Sequence, residues 1–500
     1  MVERLFKLRA NGTTVGREVR GGIVTFLTLS YILFVQPAIL ENAIHAPPKP
    51  EALAALVPGQ GVPLDLQSLQ TEYDAAMARH KQDVDNFRDG VFVATCVGSA
   101  VACLLMAFLA NYPFALAPAM GHNVFFAFTV CGLAGSGGFG LTWQEALAAN
   151  FASGAVFLLL SFVGLRQAIM NAIPEGLKYA IAVGIGFLIA FVGLQYGGLV
   201  VDNPAVLVGR GNLASPVALL TLAGLAIISV LLARRVRGAL LWGILLTGAI
   251  AAGLTLMKRQ GWIALPYDLA TFETRAWPSG WRSTFAAMDF AGLGSRGFVD
   301  LVIVIFIFLF LDLFDTVGTL IGVGERAGML VDGKLPRAGR ALFSDAAGTV
   351  VGTVFGTSTI TSYIESAAGV AEGARTGLAN VVTAVLMLAG LFAYPVVAMF
   401  GQAVGGGAFH PVLAPVLIVV GSLMMVSVTK IRWEDHAEAI PAFLCMVIML
   451  FSLSIADGIA WGFISYCLLK VVTGKGRHVP AVVYVVAALA LVRYVVRPFA

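Results

Sequence analysis

Runs of about 18 to 22 apolar residues recur along almost the whole chain, and each is as long as a helix must be to cross a hydrocarbon layer of about 30 Å. Within lipid every backbone N–H and C=O must be satisfied inside the protein, so only helices and closed barrels span it. The runs lack the apolar/polar alternation of a barrel strand, and the helical class follows. Composition agrees: 59% of the 500 residues are hydrophobic and 12% charged, too few polar groups to coat a soluble surface. A formal charge of +4 would suggest nucleic acid in a soluble protein. Here the cations sit between apolar runs, so membrane lipid is the expected environment and no nucleic acid is expected as a partner. Cys96, Cys103, Cys131, Cys445 and Cys467 all lie inside apolar runs without CxxC spacing, and read as packing residues.

Apolar runs set against breakers give fourteen spans, near 20–40, 90–110, 115–134, 146–165, 176–197, 215–232, 238–256, 300–323, 342–355, 357–373, 377–400, 411–428, 437–455 and 457–473. Residues 1–19 carry Arg4, Lys7, Arg9 and Arg17 with no convincing cleavage site after them, so they read as a retained cytoplasmic N-terminus of an inner (plasma) membrane protein. With that end inside, about 20 of the 32 Lys and Arg fall on the cytoplasmic side and about 10 outside, the asymmetry that orients helical membrane proteins. The loop 41–89 is Pro-rich and reads as extracytoplasmic, with a short surface helix from Thr71 to Asp85. A last apolar run, 479–497, contains Arg493 and is expected as an extra helix, interfacial or membrane-embedded, with the interfacial or tilted placement favoured because a further crossing would carry a cation outward.

The two halves resemble each other. Pro216-Val217-Ala218-Leu219-Leu220 followed by Gly238-Ala239-Leu240-Leu241-Trp242-Gly243-Ile244 recurs loosely as Pro441-Ala442-Phe443-Leu444 followed by Gly458-Ile459-Ala460-Trp461-Gly462-Phe463-Ile464. Seven spans separate the copies, and an odd number of crossings inverts the second. The pattern is that of an inverted-repeat carrier, whose site lies midway where broken helices meet. Two spans, each third in its repeat, are interrupted: Asn111-Tyr112-Pro113 through Pro118 to Asn123, and Gly352 through Gly356-Thr357-Ser358-Thr359 to Ser362. Each mixes Pro or Gly with small polar residues at membrane depth, where extended backbone survives only against a cavity, a ligand or neighbouring protein. The alternative is a kinked span packed by small residues.

Asp312 and Asp315 stand three residues apart on an otherwise greasy helix, and Glu365 follows the second interruption. Leaving such groups unpaired in a bilayer costs about 2.5 to 3.5 kcal/mol each, which marks them as functional candidates. Carboxyls withdrawn from water can exchange protons near neutral pH, as a proton-coupled carrier requires, and carboxylates also accept from the N–H edge of a planar base. The competing reading for each is a helix-packing hydrogen bond. Asn123 can donate and accept at once, matching the mixed edge of a purine or serving as a capping amide. His122 can bind, relay protons or simply hydrogen-bond. Ser358, Thr359 and Phe125 complete the candidate substrate-binding set with Glu365, Asp312 and Asn123; the candidate coupling and cavity set is Asp312, Asp315, Glu365 and His122. No metal site emerges, and no nucleophile or cofactor constellation points to an enzyme. The coupling ion expected is the proton. A homodimer is compatible with the sequence and not required by it.

These segments resemble those of the AzgA-like adenine, guanine and hypoxanthine permeases, in the nucleobase and cation symporter (xanthine/uracil permease) superfamily. The resemblance is carried by Asn111-Tyr112-Pro113 with Ala115-Leu116-Ala117-Pro118 and Met120-Gly121, by Asp312-Leu313-Phe314-Asp315-Thr316 with Gly318-Thr319-Leu320-Ile321-Gly322-Val323, and by Gly356-Thr357-Ser358-Thr359 with Thr361-Ser362-Tyr363 and Glu365-Ser366-Ala367-Ala368-Gly369-Val370. It implies an all-α membrane protein of about fourteen helices in two inverted seven-helix repeats, with short extended stretches in helices 3 and 10. A core domain (20–165 and 300–400) would move against a gate domain (176–256 and 411–473), with the base held between the strands and Asn123, Asp312, Asp315 and Glu365 in functional roles. It also implies uptake of guanine, hypoxanthine or adenine. His122 replaces a more usual apolar residue, Ala119 a glycine and Gln36 an asparagine, so the preferred purine stays open. The alternatives are a xanthine, urate or pyrimidine carrier on the same scaffold and, from another class, an anion transporter, which three cavity carboxylates disfavour.

Overall fold

A computed structural model describes residues 2–47, 66–133, 138–163, 174–203, 205, 207–272, 275–331, 335–405 and 409–496. The first half runs α1 (Val15–Leu29), α2 (Ile32–Leu40), α3 (Leu66–Leu105), β1 (Leu116–Pro118), α4 (Met120–Val124), α5 (Trp143–Val163), α6 (Glu175–Tyr196), β2 (Val200–Asn203), β3 (Leu207–Arg210), α7 (Pro216–Ala233) and α8 (Ala239–Arg259). The second runs α9 (Phe298–Arg326), α10 (Ala338–Phe355), β4 (Ile360–Ser362), α11 (Ser366–Ala371), α12 (Gly377–Ala389), α13 (Tyr394–Gly401), α14 (Ala414–Met424), α15 (His436–Ser452), α16 (Ile455–Val472) and α17 (Ala481–Val496). The all-α membrane architecture expected from the sequence is the one observed. Among the described residues seven helical stretches are long and apolar enough to cross a bilayer, one of them, Gly377–Gly401, running through α12 and α13, and shorter apolar helices lie in α14, α15 and α17.

Local sequence sets the ends. Ser215 caps α7 by accepting from Ala218 N, with Pro216 supplying its first turn. Asp435 caps α15 and Ser454 caps α16 in the same way. At the close of α10, Gly356 adopts φ +101°, a left-handed conformation that only glycine takes at little cost, and the chain leaves the helix there as an extended segment.

The two interrupted spans meet. Antiparallel strands β1 and β4 pair Leu116 with Ser362, Ala117 with Thr361 and Pro118 with Ile360. Ala119 N donating to Thr359 O at 3.0 Å and Tyr363 N donating to Ala115 O at 2.9 Å extend the ladder at both ends. Extended backbone at membrane depth is thereby satisfied by its counterpart from the other half, which removes the several kcal/mol cost of each orphan amide. All six strand residues are buried.

Around this centre α1, α3, α5, α10 and α12 pack together, and α6 packs with α14, α15 and α16. The first group closes tightly: a Cβ at Gly369 of α11 would collide with Thr25 Oγ1 and Gly21 O of α1. One expectation meets a different geometry, and the last helix gains a packing partner. The segment Thr71–Asp85 is no separate surface helix but the start of the 40-residue α3, which at 1.5 Å per residue is about 60 Å long and so projects beyond a bilayer. The terminal helix α17 runs antiparallel along the full length of α16, with Tyr494 OH 2.7 Å from Asp457 Oδ1 at one end and Tyr484 OH 3.0 Å from Gly476 O near the other.

Candidate functional site

Helix α9 tells where water enters. Its first half is buried, including Ile303, Val304, Ile307, Phe308 and Asp312, whereas Asp315, Gly318, Ile321 and Glu325 are exposed at steps of three and four residues. A stripe with a carboxylate at each end is costly against lipid, so we take it as one wall of a cleft from mid-helix to the end that carries Arg326. Opposite Asp315 stands Glu365, half-buried between β4 and α11. Tyr31 OH donates to Glu365 Oε1 at 3.1 Å, and Thr361 Oγ1 donates to Asp315 Oδ2 at 3.4 Å. The two carboxylates interact electrostatically with each other and with Tyr31 and Tyr363. From α6, Lys178 lays its ammonium 5.1 Å from the centre of the Phe314 ring, bringing the second helix group to the cleft.

Behind the strands the remaining polar candidates are turned inward. Asp312, 1% exposed, faces Thr316 and Thr349 at 3.5 and 3.4 Å. Thr316 Oγ1 also donates to Asp345 Oδ2 at 2.7 Å, and Ser362 Oγ donates to Asp345 Oδ1 at 3.0 Å. Asp312 and Asp345 are thus two buried carboxylates with the Thr316 hydroxyl between them, its proton directed to the nearer Asp345. A second knot joins Gln36, Asn123, Thr357 and Ser358: Gln36 Nε2 donates to Thr357 Oγ1 at 2.8 Å and Ser358 Oγ at 3.2 Å, Asn123 Nδ2 donates to Gln36 Oε1, and Ser358 Oγ donates to Asn123 Oδ1. Thr359 Oγ1 donates to Asn150 Oδ1 at 2.6 Å.

The sequence-selected residues are therefore divided. Asp315 and Glu365 share the cleft. Asp312 does not line it: a three-residue step turns a helix by about 60° from alignment, enough to send Asp312 into the protein while Asp315 meets water. Asn123, Ser358 and Thr359 hold the interrupted spans to their neighbours, their polar atoms occupied by protein partners. Phe125 is fully buried, edge-on to Phe308 at 4.8 Å. His122 is 1% exposed and neither ring nitrogen has a hydrogen-bond partner, so it lies beside the site rather than in the open cleft. Sequence reading passed over Tyr31, Asn150, Tyr363 and Asp345. A tyrosine three residues before a helical Phe-Val run gives no signal of its own, and Asp345 sits in a Ser-Asp-Ala-Ala stretch that resembles a helix start at the membrane edge.

Paired strands at the centre of a helical membrane protein, with carboxylates in a cleft between two helix groups, define a polytopic transporter of the inverted-repeat class. Solved structures share the fold: the transmembrane domain of a cyanobacterium bicarbonate transporter, BicA, superposes with a TM-score of 0.57 at 13% identity, covering 88% of this chain and 97% of that one. SLC26A9 gives 0.55 at 12% identity over 91% of this chain and 65% of its own. The chain belongs to the permease family, whose model matches residues 75–461, in keeping with the resemblance read from its motifs. Among its relatives, the guanine/hypoxanthine permease PbuO of Bacillus subtilis is 39% identical, covering 98% of this chain and 99% of that protein. The adenine permease AdeP of Escherichia coli is 37% identical over 99% and 96%.

Proposed function

We propose that this chain is a secondary active transporter of the inner membrane, N-terminus in the cytoplasm, that carries a purine nucleobase inward with a proton. The observation that carries the reading is the exposed Asp315 of α9 and the half-buried Glu365, coupled to each other and bonded to Thr361 and Tyr31 beside the strand junction. A purine presents ring N–H and exocyclic NH2 donors along one edge, and two carboxylates supply matching acceptors. One carboxyl can carry the proton while the other holds the base, so release of either weakens the hold on its companion. Relatives named as guanine/hypoxanthine and adenine permeases at 37–39% identity over nearly the whole chain support the substrate class.

Movement follows from the packing. The core group (20–165 and 300–400) contains β1, β4 and both carboxylates, and the gate group (176–256 and 411–473, with 479–496 laid against it) reaches the same face through Lys178 beside Phe314. Shifting one against the other would expose the cleft to alternate sides while the strand ladder stays closed. The orientation with the cleft open to the cytoplasm fits the cations Arg326, Arg337, Arg340 and Arg375 at that end. Anion carriage, suggested by the bicarbonate transporter's fold, is disfavoured by a cleft whose defining groups are acidic.

Uptake of radiolabelled guanine and of sulfate into the same vesicles, with and without an inward proton gradient, tests this. Guanine should accumulate, the accumulation should collapse with an uncoupler, and sulfate should stay at background. Sulfate accumulation without any base would overturn the assignment.

A further inference from the structure

At the end of the molecule opposite the cleft mouth, one cluster ties the two helix groups together. Glu41 follows α2, and its Oε2 lies 2.9 Å from Arg88 Nε of α3, in an ionic rather than well-aligned hydrogen-bond geometry. Its Oε1 lies 3.0 Å from Nε2 of His410, which precedes α14. His410 is 3% exposed, its Nδ1 is 3.1 Å from Gly401 O of α13, and its backbone N donates to Tyr196 O of α6 at 2.9 Å. The Tyr196 ring lies 4.5 Å from the imidazole at a tilt of 39°, its hydroxyl donates to Ala38 O at 3.0 Å, and Asn42 Nδ2 donates to that hydroxyl at 2.5 Å.

The chemistry is in the acceptors. Both ring nitrogens of His410 face oxygens, one a carbonyl that can only accept and the other a carboxylate. A neutral imidazole has one N–H and leaves a lone pair against one of those oxygens, whereas imidazolium satisfies both. The remaining charged and titratable groups nearby are Arg88 and Tyr196 in contact with the pair, and beyond Arg88 the ionic group of Asp85, Asp89 and Arg275, with Arg275 3.8 and 3.6 Å from the two aspartates and Tyr394 OH donating to Asp89 Oδ1 at 2.5 Å. These latter charges lie on one side of Arg88 and leave the His410–Glu41 contact as the ionic link across to α14.

We infer that Glu41, His410 and Tyr196 form a proton-dependent latch that closes the extracytoplasmic side of the transporter. The inference rests on the proposed alternation of core and gate. Protonation of His410 from outside completes the latch and seals that side; loss of the proton sets a lone pair against an oxygen and lets the groups part, so acid favours closure and alkali opening.

Ala38, 1% exposed beneath Tyr196, reports on the seal. In intact cells carrying Ala38→Cys, labelling by a membrane-impermeant maleimide without any purine, normalised to the exposed position Gln70→Cys, should rise about fivefold or more from pH 6 to pH 8. Adding His410→Ala should give fast labelling at both values, and adding Glu41→Gln, a second route to the same contact, should flatten the pH response. The parent protein, whose cysteines are native, supplies the background. Labelling of Ala38→Cys that is independent of pH, or unchanged by both substitutions in protein of normal melting temperature, would overturn the latch. Because no substrate is present, that failure is separate from a failure of guanine uptake.

Discussion

Gly318 gives the sharpest test of where the substrate sits. It lies one turn after Asp315 on the exposed stripe of α9, and a Cβ there would meet nothing within 4 Å. Gly318→Ala should therefore fold at least as well as the parent, since replacing glycine inside a helix is worth about 0.5 to 1 kcal/mol. Gly318→Trp puts an indole, a bicycle of about purine dimensions, into the same space without displacing packed atoms. The expected result is unchanged melting temperature in detergent for both variants, near-parental guanine uptake for Gly318→Ala, and at least a tenfold loss for Gly318→Trp. Gly369→Ala is the control for damage by packing: its new methyl meets Thr25 and Gly21, an overpacking cost of about 1 to 3 kcal/mol, and it should lower melting temperature and uptake together. Parental uptake by Gly318→Trp at parental stability would show that the cleft along α9 is not the path of the base.

Glu365→Gln should abolish concentrative uptake measured with a proton gradient; unchanged accumulation would remove Glu365 from coupling. Tyr31→Phe deletes the 3.1 Å hydrogen bond to that carboxylate, a contact to a charged acceptor worth about 1.5 to 3 kcal/mol, and should shift KM or kcat for guanine by about tenfold or more, while identical kinetics would refute the contact. Thr316→Val keeps shape but removes the hydroxyl that bridges Asp312 and Asp345; it should cost about 1 to 3 kcal/mol in thermal stability, and a parental melting curve would show that the bridge contributes nothing. Asp268, in the loop after α8, is held below the usual carboxylate range by hydrogen bonds from Arg259 and then Lys258, against a smaller opposing effect of burial. A depressed carboxyl stabilises above its unfolded value and loses that contribution as pH falls through the folded one, so the parent's stability advantage over Asp268→Asn should be full above about pH 4 and fade below it. An advantage that persists in stronger acid would contradict the ion pair.

The helical membrane class, the inverted-repeat fold and the two interruptions were legible because lipid imposes them: apolar length and breakers at depth are sequence properties. The site was legible to the level of residue type. That carboxylates belong at the centre follows from their cost in hydrocarbon, but which of Asp312 and Asp315 meets water depends on the rotation of α9, and both are flanked by equally apolar residues. The amide of Asn123 could not be assigned from sequence because its partners, Gln36 and Ser358, come from two other spans. The continuation of α3 to Leu66 was hidden because polar helix beyond a membrane carries no apolar period to mark it.

Strand β4 connects what the sequence left separate. Alternate residues of a strand point to opposite faces, and here Thr361 reaches Asp315 in the cleft while its neighbour Ser362 reaches the buried Asp345. A slip of one residue against β1 would bring Ile360, which has no hydroxyl, or Ser362 to Asp315, and Thr361 or the bulkier Tyr363 to Asp345. Register is set by pairing with the other half of the molecule, Ala117 against Thr361. The inverted repeat thus does more than supply symmetry: each half holds the other's broken span in the one alignment that keeps the accessible and buried carboxylates on opposite sides of the same three residues.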